Sequence, residues 1–107
     1  MTQEIEKEIQ DKGLDAPRIT YPKIQELMQK LTFEFLRTGQ TGTICNAYLG
    51  TFRVAQGYSA SVSVENFDPE MGEKIAKENC LKNSEDALWG FMGFALFKEL
   101  NSELFSD

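Results

Sequence analysis

Ala87-Leu88-Trp89-Gly90-Phe91-Met92-Gly93-Phe94-Ala95-Leu96-Phe97-Lys98-Glu99-Leu100 holds ten apolar residues in fourteen, and they do not fall on one stripe. Leu88, Met92, Ala95 and Leu96 recur at helical spacing on one side, while Trp89, Phe91, Phe94 and Phe97 spread over the rest. A helix that is apolar nearly all round must be covered on more than one side. The run is shorter than the ~20 apolar residues a membrane span needs, and Lys98 and Glu99 end it. It is therefore the central helix of the core, or a core helix that also meets a second copy of the chain. Gly90 and Gly93 each cost ~1 kcal/mol relative to Ala in a helix interior. Their place in so crowded a run implies close packing against another element.

Upstream, Lys82-Asn83-Ser84-Glu85-Asp86 either breaks the helix or carries it on as an exposed turn, so one or two C-terminal helices are expected. Asp68 is a natural cap, Pro69 suits the first helical position and Glu70 suits the positive end of the dipole. Met71, Ile75, Ala76 and Cys80 form the apolar side of that segment. Before it the period is 2 rather than 3.6. Thr43–Leu49 and Phe52–Val64 read as two strands joined at Gly50-Thr51. Phe52, Val54, Tyr58, Ala60 and Val62 would share the core face. Arg53, Ala55, Gly57, Ser59, Ser61 and Ser63 would face solvent or a partner, with Gly57 marking a bulge or a close backbone approach.

Nearer the start, Thr20-Tyr21-Pro22 opens a helix whose Ile24, Leu27, Met28, Leu31 and Phe35 follow the i, i+3, i+4, i+7, i+11 pattern. Gly39-Gln40-Thr41-Gly42 would stop it. Thr2–Lys12 reads as a short charged helix with Ile5 and Ile9 one turn apart, ended by Gly13 and followed by the connector Asp15-Ala16-Pro17. The expectation is a single α+β domain over 1–107, with 1–16 a weakly docked N-terminal segment. An N-terminal helix, a two-stranded antiparallel β-hairpin and one or two C-terminal helices packed on the hairpin make up the fold.

Composition narrows the chemistry. The formal net charge of −6 argues against wrapping a nucleic-acid backbone. There is no histidine, which removes the commonest metal ligand and the commonest general base together. Cys45 and Cys80 stand 35 residues apart with no CxxC pattern, and the charged first fifteen residues lack the apolar core of a secretory signal. Both thiols are expected to be reduced, in a cytoplasmic setting. Ser59, Ser61 and Ser63 have no histidine to activate them, and Gly39-Gln40-Thr41-Gly42 lacks the lysine of a phosphate loop. Glu65, Asp68 and Glu70 lack calcium-loop spacing, and capping accounts for the last two. No catalytic residue, metal site or cofactor is expected. Arg53, Tyr58 and Trp89 are the candidates for a small-ligand pocket, by stacking and charge pairing. Phe91, Phe94 and Phe97 are the candidates for an oligomer interface.

A set of stretches in register carries a resemblance. Lys12-Gly13-Leu14-Asp15-Ala16-Pro17-Arg18-Ile19-Thr20 comes first, then Thr43-Ile44-Cys45 and a glycine-containing hairpin. Val64-Glu65-Asn66-Phe67-Asp68-Pro69-Glu70-Met71-Gly72 and Lys74-Ile75-Ala76 follow. Trp89, Gly93-Phe94, Leu96 and Lys98-Glu99-Leu100 close the series. In this order they resemble the gp-forty-nine-like family of small tailed-phage accessory proteins, named from phages N-four and Sf-six. The chain departs from that pattern with Gly50-Thr51 where Asn-Gly is usual, and with an added turn at Lys82–Asp86. The resemblance implies a phage or prophage origin and a life in the cytoplasm of an infected bacterium, and it carries over no functional residue.

The reading that follows is a non-enzymatic phage accessory protein that binds and inhibits a host protein involved in defence or metabolism. The alternative is an oligomer that sequesters a nucleotide immune signal in a pocket built from Arg53, Tyr58 or Trp89. A homodimer or higher homo-oligomer is expected, joined across a hairpin edge or through the aromatic run, with neither nucleic acid nor membrane as partner.

Overall fold

The computed structural model describes residues 2–14 and 16–107; the Asp15 position of the expected connector lies outside them. Three helices and one antiparallel sheet follow in the order α1 (Gln3–Asp11), α2 (Tyr21–Met28), β1 (Thr32–Thr38), β2 (Gly42–Leu49), β3 (Phe52–Ala60) and α3 (Pro69–Leu100). Single 3₁₀ turns cover Val64–Asn66 and Ser102–Phe105. The caps form where the residue types favour them. Thr2 accepts from the Ile5 amide, Thr20 from the Lys23 amide, and Asp68 from the amides of Glu70 and Met71.

The sheet has three strands where two were expected, in the order β1-β2-β3. The helix opened by Thr20 stops at Met28, and Thr32–Thr38 is a strand. Leu31 and Phe35 fit a helical stripe, but Phe33 and Phe35 also alternate with Thr32 and Glu34. The alternation prevails because β2 offers a full ladder of pairing, from Thr32 opposite Tyr48 to Thr38 opposite Gly42. Gly50 turns the β2–β3 hairpin at φ +59°, a conformation that L side chains rarely adopt. A bulge lies between Ala47 and Tyr48 in the pairing with β3, where Arg53 opposes Tyr48 and Val54 is the extra residue.

The Lys82–Asp86 segment does not break the last helix. α3 runs unbroken for 32 residues, about 48 Å at 1.5 Å per residue. Its buried line is Gly72, Ala76, Cys80, Ser84 and Leu88, one residue per turn. Met71 and Ile75, expected on the apolar side, are exposed. Small residues meet the sheet because the sheet presents small residues in return. Ala55, Gly57 and Ser59 of β3 share a face with Cys45 and Ala47 of β2, and α3 lies on it. At Gly57 the approach is closest: a Cβ there would run into the backbone of Ala76 and Cys80. Beyond the bulge the two faces of β3 are thus the reverse of the expectation, while Phe52 and Val54 keep the helix side and Arg53 the open side as expected. Tyr58 and Ala60 look away from the helix, and the small residues are the packing surface.

Asn79 and Asn83 finish this contact by donating to the carbonyl oxygens of Tyr58 (2.9 Å) and Gln56 (2.8 Å). These bonds close part of the outer edge of β3; the outer edge of β1 has no such cover among the described residues. Cys45 and Cys80 are both buried and free, on facing layers of the core. Burial, then the neighbouring Cys80, pushes the Cys45 thiol up to about 12, which keeps it protonated and unreactive at neutral pH.

Candidate interaction site

With α3 covering one side, the opposite side of the sheet stands open, and pairing register places its residues in rows. Thr32, Tyr48 and Arg53 form one row; Glu34, Asn46 and Gln56 the next; Leu36, Ile44 and Tyr58 the third. The middle row is tied by hydrogen bonds. Gln56 Nε2 donates to Asn46 Oδ1 (3.0 Å), and Asn46 Nδ2 donates to Glu34 Oε1 (3.1 Å). The Tyr48 hydroxyl donates to the same Glu34 oxygen at 3.1 Å. That hydrogen bond, with burial behind it, raises the Tyr48 pKa above its ordinary value. Four polar side chains on three strands are therefore held in one arrangement, which lowers the entropy lost when they engage a partner.

The row beside them is apolar and unprotected. Leu36 is 47% and Tyr58 55% exposed, with half-buried Ile44 between them. A water-facing side of an antiparallel sheet ordinarily alternates to polar residues. A three-residue apolar row next to an ordered polar row is a contact surface in miniature.

The three residues singled out for a ligand pocket do not meet in one. Arg53 and Tyr58 are both on the open face, two rows apart. Trp89 belongs to α3 and packs against the core, on the segment that α2 reaches through the Gln25–Glu85 hydrogen bond of 3.1 Å. Of the three interface candidates, Phe91 packs edge-on against Phe52 with ring centres 5.6 Å apart. Phe94 and Phe97 both meet Phe105 edge-on, at 5.7 and 6.3 Å. Of the Glu65, Asp68 and Glu70 group, Asp68 caps α3, taking the Glu70 amide at 3.0 Å, Glu70 lies in the first turn of α3, and Glu65 lies in the preceding 3₁₀ turn.

Glu6 was not singled out, and it is the polar residue that ties α1 to the rest. It is buried, accepts from both terminal nitrogens of Arg18, and takes the Tyr21 amide at the head of α2 at 2.8 Å. Ile5 is exposed and Ile9 half-buried, so this attachment is polar rather than apolar. In the sequence Glu6 is one acid in a run of alternating charge, with nothing to mark it. The Arg18 hydrogen bonds, then the Tyr21 amide, lower the Glu6 pKa from its ordinary 4.5 to about 2. A carboxylate depressed in the folded state stabilises it fully above about pH 4.5, and that contribution is lost as the pH falls toward 2. Amide exchange over Gln3–Asp11 should accelerate in that window, beyond its intrinsic pH dependence. In Glu6→Gln it should already be fast at pH 7. Equal protection at pH 6 and pH 3 would count against the clamp.

Comparison with known proteins adds the family. The model of the family described as phage protein (N4 Gp49/phage Sf6 gene 66) matches residues 2–100. The chain belongs to this family. The match takes in every helix and strand described above, so the open sheet face and the whole of α3 are parts of the family's domain. No curated protein and no solved structure matches the chain. No helix among the described residues is long and apolar enough to cross a membrane.

Proposed function

We propose that this phage protein acts by binding a host protein and blocking it, in the cytoplasm of the infected bacterium, rather than by catalysis. The observation that carries the reading is the open sheet face. It sets the exposed row Leu36–Ile44–Tyr58 beside the hydrogen-bonded row Glu34–Asn46–Gln56. Such a surface suits a partner with an apolar ridge and hydrogen-bond donors for Glu34. The acidic balance of the chain favours a basic patch around that ridge. The uncovered edge of β1 borders the same face and offers backbone groups to an extended segment of the partner.

The test is to recover the tagged full chain from bacterial lysate, identify stoichiometric partners by native mass spectrometry, and assay each partner with and without the chain. A host protein is expected to be retained and its activity suppressed. Leu36→Glu and Tyr58→Ala should each weaken capture at least ~10-fold, as central contacts of an interface do. Capture indifferent to both changes, or a captured protein whose activity is unaltered, would overturn the reading.

A further inference from the structure

Among the described residues the distal third of α3 is covered only by Phe52 against Phe91, the core side at Met92 and the 3₁₀ turn that brings Phe105 back, although it is the most apolar part of the helix. The sheet-facing line ends at Leu88. Beyond it, Phe94 is 58%, Phe97 46% and Leu100 56% exposed. Because the helix is continuous, Gly90, Gly93, Phe97 and Leu100 fall at alternating spacings of three and four residues. That is the spacing of a helix–helix seam, with Phe94 beside it. Phe105 folds back onto this end, edge-on to Phe94 and Phe97, with the Lys98 ammonium 5.6 Å from its ring centre. The aromatic cluster is therefore preassembled on one helix face.

The glycines decide what covers it. A Cβ at Gly90 or Gly93 would meet nothing within 4 Å. Among the described residues no contact calls for glycine at either site, and each weakens the helix by ~1 kcal/mol. A second helix approaching at this point would need that space. The face thus carries both projecting rings and the hollows that receive them, which is the self-complementarity of an isologous contact. Its size is sufficient as well. Phe94, Phe97, Leu100, Leu104 and Phe105, each about half exposed, offer roughly 500–600 Å² per copy, taking an aromatic side chain at about 200 Å². Two copies bury roughly 1,000–1,200 Å² together, which reaches the threshold of a specific interface.

We infer that the protein is a homodimer whose two α3 helices pack along the Gly90–Gly93–Phe97–Leu100 seam, with Phe91 left to its own Phe52. The seam lies on α3, on the far side of the sheet from the open face, so the two surfaces can be occupied together and tested apart. The experiment is sedimentation equilibrium of the full chain and of two variants, with circular dichroism to verify folding. The wild type should have twice the mass of the chain. Phe94→Glu/Phe97→Glu should remain helical and dissociate, its dimerisation constant weakened more than ~100-fold. Leu36→Glu, on the open face, should keep the dimer mass. A monomeric wild type, or dissociation by Leu36→Glu with the double variant still dimeric, would overturn the inference. If Phe94→Glu/Phe97→Glu fails to fold, Gly90→Leu/Gly93→Leu replaces it. These larger residues point into open space in the monomer, so the variant should fold and dissociate; a dimer of unchanged strength would overturn the seam.

Discussion

Gly57→Val is expected to unfold the protein or come close to doing so. Gly57 pairs with Cys45 of the central strand, and the α3 backbone at Ala76 and Cys80 lies where its Cβ would go. Overpacking a core costs about 1–3 kcal/mol when neighbouring side chains can shift. Here the obstructing atoms are backbone, so helix and sheet must separate, and the upper end of that range or more is expected. Total stability of a domain this size is only ~5–15 kcal/mol. Urea denaturation followed by circular dichroism reads the loss. Trimming the facing residue with Ala76→Gly should not rescue the variant, because the Ala76 side chain is not the obstacle. A Gly57→Val protein within 1 kcal/mol of wild type would mean that α3 does not lie directly on β3.

Lys82→Pro carries the second large effect. Lys82 is exposed, so its side chain contributes little to the core. A proline there removes one helical hydrogen bond and its ring meets the carbonyl of Glu78. That combination costs ~3 kcal/mol or more in a helix interior. The same substitution in a loop would be nearly neutral. A loss of about 3 kcal/mol with reduced helicity is the expected outcome, and a loss under ~1 kcal/mol would place a break between Cys80 and Leu88. The break matters for association, since an unbroken α3 fixes the direction in which the Gly90–Leu100 seam faces relative to the sheet.

Much of this architecture is legible in the residues. Thr20-Pro22 and Asp68-Pro69 mark two helix starts by cap chemistry, and both helices begin there. Gly50-Thr51 marks the hairpin, and the fourteen-residue apolar run marks a helix that needs cover on several sides. The first strand was hidden because Leu31 and Phe35 satisfy two periods at once; the choice between them depends on β2, a contact that no local window contains. The facing of β3 was misread for another reason. Hydrophobicity assigns Tyr58 to the core and Ser59 to water. Closeness of approach assigns Gly57 and its small neighbours to the helix instead, and a scale of apolarity does not register that. The open face followed from the same error, since Glu34, Asn46 and Gln56 become neighbours only once β1 exists and the register is set. Glu6 was illegible because its partners, Arg18 and the Tyr21 amide, lie across a loop.

Amide hydrogen exchange along α3, measured on the full chain at low and high protein concentration, tests the whole account in one series. In the proposed dimer the proximal part of α3 is sealed on the sheet and the distal third is covered by a second copy. Residues 72–88 should be protected equally at both concentrations, with no fast-exchanging gap at 82–86. Residues 90–100 should gain protection as concentration rises. A gap in the middle, or a distal third indifferent to concentration, would contradict the account.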